Sequence, residues 1–184
     1  MARTHSSRYN TARTFAALEA AVDHAHMGSF EKANVSQKLK ARVSSALNHC
    51  IEAATDLERF LGHAAVGLKD RTMHDALHDA EKTAGDFVLA LQDALRSIDA
   101  FVDNQGTGVG ALRRAAFELD IAFSGRTDQR VLARVETALL RTIGVYDQAL
   151  QELGMRSGAF HMLVAEQREV LSAIHRDLAH RIDM

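Results

Sequence analysis

No proline interrupts this chain, tryptophan is missing, and cysteine occurs once. Without proline, nothing in the sequence forces a helix to kink or stop. One cysteine excludes an intramolecular disulfide. Cys50 falls on an apolar helical stripe, so a small buried hydrophobe is the better assignment than a nucleophile. Its use suits a reducing compartment, and a cytoplasmic location is expected. Aromatic residues are only 5% of the chain, too few for a platform on which bases stack. The 22 Lys+Arg balance 24 Asp+Glu without a basic cluster, so nucleic acid is not an expected partner. No apolar run approaches the roughly eighteen residues of a membrane span. Residues 1–10 are polar, lack the apolar core of a secretory signal, and read as a disordered N-terminus.

What the chain does have is a period. Met73, Leu77, Ala80, Ala84, Phe87, Leu91, Ala94, Ile98 and Phe101 recur in alternating steps of four and three, which places them on one helical stripe. The same steps join Leu39, Val43, Leu47, Cys50, Ala54, Leu57, Leu61 and Ala64. Helices are expected over about 34–65 and 72–102, with Gly67 as a stop and Asp70 or Thr72 as a cap. Residues 103–108, DNQGTG, form the clearest loop. Beyond it, Leu112, Ala116, Leu119 and Phe123 mark a short helix over 109–123. Leu132, Val135, Leu139, Ile143, Tyr146 and Leu150 mark a long one, starting after Thr127 or Asp128 and ending near 153. Gly154 and Ser157-Gly158 form a turn before a last helix over 159–182, with Leu163, Val170, Leu171, Ile174 and Leu178 inward. Glu166 or Gln167 interrupts that stripe, as a buried polar group that fixes register. Phe15, Leu18, Ala21 and Val22 give residues 11–26 an apolar face, and Gly28 closes this accessory segment by about residue 30. Such a face needs cover from the bundle or from another subunit.

Four long amphipathic helices pack as a four-helix bundle, here over 31–184. A simple hairpin between the second and third would not need the helix at 109–123. That helix is expected to cross the side of the bundle, leaving the second and third helices parallel to each other and the first and fourth likewise.

Two blocks carry a resemblance. The first is Leu47-Asn48, Ile51-Glu52 and Asp56-Leu57-Glu58. The second is Gly110-Ala111-Leu112-Arg113-Arg114, followed by Glu136, Tyr146, Glu166-Gln167 and His175. Over about residues 40 to 182 the chain resembles a bacterial ferritin-like family of four-helix-bundle proteins of unknown function. The resemblance implies an all-α, ferritin-like bundle with a crossover helix, and implies little about activity. Relatives tend to carry acids where this chain has Leu139 and Leu140, Asp in place of His49 and Glu in place of Asp79.

Di-metal sites in ferritin-like bundles use carboxylates on two helices and Glu-x-x-His pairs on the others. Iron and manganese favour such oxygen and imidazole donors. With the crossover, Glu58, His78, Glu81, Glu136 and His175 fall at one level beside the stripes. The set is incomplete: Ser172 precedes His175 where Glu is needed, and Asp75 precedes His78. Ion-paired, solvated flanks near Arg59, Lys82 and Arg134 are the plainer account of the acids. His74 and His78 stand one turn apart and could bind a metal on the surface, although exposed pairs at that spacing more often do so adventitiously. The Gly106-x-Gly108-x-Gly110 run lacks the preceding strand and the following Lys of a phosphate loop and reads as linker. The expected function is non-catalytic, through self-association as a homo-oligomer or through a protein partner. An iron- or manganese-binding oxidase or store is the alternative.

Overall fold

The structure, a computed structural model, describes residues 29–100, 128–154 and 157–182. The segments expected at 11–26 and 109–123, and Phe101, lie outside them. Four helices make up the described chain: α1 (Ser29–Gly67), α2 (Arg71–Ser97), α3 (Asp128–Leu153) and α4 (Gly158–Ile182). None is long and apolar enough to cross a membrane.

The stripes become the core. Leu47, Cys50, Leu57, Leu61, Leu77, Leu91, Leu139 and Tyr146 are inaccessible or nearly so. On α1 the buried band widens to take in Ala46, Ile51 and Ala65. That helix packs against both α2 and α3, and one narrow stripe cannot serve two neighbours. On α4 the buried line is Phe160, Val164, Gln167, Leu171 and Leu178, while Val170, expected inward, is exposed. Leu163 and Val170 follow the same steps one position over, so the apolar pattern alone leaves the rotation of α4 open. Gln167 is the polar residue that turns in; Glu166 stays out.

Helix ends follow local chemistry. Asp70 caps α2, accepting from the amides of Thr72 (2.8 Å) and Met73 (3.1 Å). The helix stops at Ser97, earlier than expected from a stripe that continues to Phe101. Asp99 adopts a left-handed backbone with φ of 48°. The amide of Ala100 bonds the Leu95 carbonyl and that of Asp99 bonds Arg96, a complete Schellman closure. Gly67 ends α1 without a left-handed backbone, whereas Gly154 (φ 60°) ends α3 through its amide on the Leu150 carbonyl. Helix α1 begins at Ser29, ahead of the expected residue 34.

Asp128 sets the topology. Its carboxylate accepts from the amides of Lys69 (3.2 Å) and Asp70 (3.1 Å), so α3 starts beside the start of α2. Farther up, Gln167 of α4 bridges Tyr146 and the carbonyl of Phe87, which lie about equally far along α3 and α2. Helices α2 and α3 therefore run parallel, and α1 and α4 run the other way. Three sides of the bundle, α1–α2, α1–α3 and α3–α4, are closely packed; α2–α4 is slack.

Candidate functional site

Glu58 and Glu81 face each other's helices across the α1–α2 seam in a reciprocal arrangement. A Cβ added at Gly62 would lie 2.6 Å from Glu81 Oε1, and one at Gly85 would lie 3.0 Å from Glu58 Oε1. Each carboxylate therefore lies over a glycine of the opposite helix, where any larger residue would meet it. The signal was present in the sequence: Glu-x-x-x-Gly occurs at 58–62 on one helix and at 81–85 on the next. Antiparallel packing brings each acid opposite the other motif's glycine, so neither glycine is a helix stop. Glu81 Oε2 also lies 3.0 Å from His78 Nδ1.

Glu136 and His175 meet across the α3–α4 seam, Oε1 to Nε2, at 3.5 Å. The geometry is that of an ion contact rather than a hydrogen bond, and His175 Nε2 is a buried atom without a hydrogen-bond partner. Such an orphan calls for an explanation. Two turns away along α4, Arg168 makes a two-point contact with Asp147 at 2.9 and 3.5 Å, which ties α4 to α3. Bonding to Asp147 raises the guanidinium's pKa further.

All five sequence-expected residues thus occupy the half of the bundle nearest the α1–α2 turn, at levels within about one helical turn (about 5 Å) of each other. They are divided between two seams: Glu58, His78 and Glu81 on one, Glu136 and His175 on the other. Among the described residues, no group of three or more His, Cys, Asp or Glu is placed to hold a metal ion. Leu139 is fully buried.

The polar chemistry of the interior lies elsewhere. Tyr146, inaccessible to solvent, donates to Gln167 Oε1 at 3.0 Å, and Gln167 Nε2 donates to the Phe87 carbonyl at 3.4 Å. Burial, with Cys50 nearby, raises the phenol pKa well above its ordinary value. Burial, with the charge of Glu152, pushes the Cys50 thiol from 9.0 up to about 12. A thiol so protonated and enclosed is a packing group, as its place on the stripe implies.

The family model of a domain of unknown function (DUF2383) matches residues 42–152. No curated protein and no solved structure matches the chain.

Proposed function

We propose, for a chain that belongs to the DUF2383 family, that it acts without catalysis, as a bundle that associates with a second copy of itself through its α2–α4 side. The slack packing of that side supports this proposal. Phe87, Leu163 and Ile174 are only partly buried there, and Val170 is 37% exposed. Leu163, Val170 and Ile174 continue one helical stripe on the flank of α4 away from Arg168 and His175. A further apolar helical face fits against them as a helix fits in a bundle. Light scattering on the untagged full chain tests the proposal. A dimer or larger species is expected, and Val170→Glu should shift it toward monomer. A monomer throughout the micromolar range overturns self-association, and capture of a defined protein by that monomer would move the surface to a partner.

A second proposal rests on the orphaned His175 Nε2 beside Glu136. Glu58, His78, Glu81, Glu136 and His175 would hold iron or manganese in it, with the two seams drawing together on loading. The donor types suit those ions; their division between seams does not suit one shared centre. Metal content after purification without chelator or tag decides. Near two equivalents of iron or manganese, abolished by Glu58→Ala with Glu136→Ala, supports this proposal; none removes it.

A further inference from the structure

His74 and His78 sit on successive turns of one face of α2, with 46% and 70% of their side chains exposed. Four-residue spacing sets the two imidazoles side by side. Each ring is anchored at one nitrogen: His74 Nδ1 lies 3.1 Å from Asp75 Oδ1, and His78 Nδ1 lies 3.0 Å from Glu81 Oε2. A proton held on Nδ1 by a carboxylate leaves the Nε2 lone pair free. Glu81 is in turn seated over Gly62. A chance surface pair lacks this second layer, which is the arrangement that orients metal-bound histidines.

We propose that His74 and His78 form a two-imidazole site for a borderline divalent cation such as copper, zinc or nickel, bound through both Nε2 atoms. Asp75 and Glu81 accept from the opposite ring nitrogens and fix the rings. Nitrogen donors select these ions over iron and manganese. Two protein donors leave the other coordination positions to water, in keeping with the lack of any larger donor group among the described residues. The site shares His78 and Glu81 with the iron or manganese set, Glu81 here only as the acceptor that fixes a ring, and depends on neither proposal above.

Copper(II) titrated into the untagged full chain, followed by calorimetry and electron paramagnetic resonance, tests it. One equivalent should bind with two-nitrogen hyperfine structure. His74→Ala and His78→Ala should each weaken that equivalent about a hundredfold, because the second contact of a chelate is intramolecular. Glu81→Gln should weaken it about tenfold and keep the two-nitrogen spectrum. Both histidines are exposed, so helicity by circular dichroism should be unchanged. Unaltered affinity in His74→Ala, a one-nitrogen spectrum, or loss of the equivalent in His175→Ala instead would each overturn the site.

Discussion

Tyr146→Phe deletes one hydroxyl and leaves Gln167 Oε1 without its donor at a residue only 2% exposed. A neutral hydrogen bond contributes about 1 kcal/mol net, but stranding its buried partner costs about 1–3 kcal/mol. The single change should therefore destabilise the bundle by about 1–3 kcal/mol. In a domain this size that lowers the melting temperature by about 2–4 °C for each kcal/mol. Gln167→Leu makes the mirror-image error, leaving the Tyr146 hydroxyl without an acceptor, and should cost a similar amount. The Phe87 carbonyl keeps its place in the α2 ladder, so losing the Gln167 amide there adds little. Removing both polar groups together strands neither. The double variant Tyr146→Phe with Gln167→Leu should stand within about 1 kcal/mol of wild type, giving a coupling of about 1–5 kcal/mol between the sites. Urea unfolding of the four proteins, analysed as a double-mutant cycle, measures it. If the two single effects simply add, this polar bridge is not a coupled unit and the reasoning fails.

Alkaline stability should follow Cys50. Its folded pKa is raised from 9.0 to about 12, so below pH 9 the thiol is protonated in both states and its contribution is fully present. Above pH 9 only the unfolded chain gives up the proton, and stability should fall by about 1.4 kcal/mol per pH unit until the folded thiol ionises. Tyr146, also raised, adds a loss of the same sign above pH 10. Urea midpoints at pH 7 and pH 10 should show a smaller drop in Cys50→Ala than in wild type, and equal drops would count against the burial argument. Gly62→Ala should change stability by less than about 1 kcal/mol: alanine's helix preference gains up to about 1 kcal/mol, and the displaced Glu81 loses a surface contact of comparable size. The His78 ring resonances should shift in the same variant, and a destabilisation above about 2 kcal/mol would mean that Glu81 cannot move aside. Asp128→Ala should cost about 1 kcal/mol and speed hydrogen exchange at the amides of Lys69 and Asp70, which lose their acceptor. Unchanged exchange there would refute the clasp.

The four long helices and most of their buried faces were legible because steps of three and four repeat without a break and no proline intrudes. The parallel course of α2 and α3 was legible only through the length of chain between them. What escaped had equal support on two sides. On α4, the stripe through Leu163 and Val170 is as apolar as the one through Phe160 and Val164, and packing against α3 chose the second. At the end of α2, hydrophobic period favours continuation, while the left-handed backbone at Asp99 is a local event that period does not report. The five candidate ligands share a level along the bundle, but height says nothing about which seam a flank residue joins. Gly62 and Gly85 were visible as spacings. Their partners emerge only once the register of α1 against α2 is known.

The Asp128 clasp divides the molecule into two kinds of contact by sequence distance. The α1–α2 and α3–α4 hairpins close over a few residues, whereas Lys69 and Asp128 are 59 positions apart. Loop-closure entropy makes the longer connection costlier by about 2 kcal/mol. The two hairpins should therefore assemble early and dock late, with α1 meeting α3 near the end of folding. In stopped-flow measurements, Asp128→Ala should chiefly speed unfolding and leave the folding rate nearly unchanged. The bundle would then have a seam in time as well as in space.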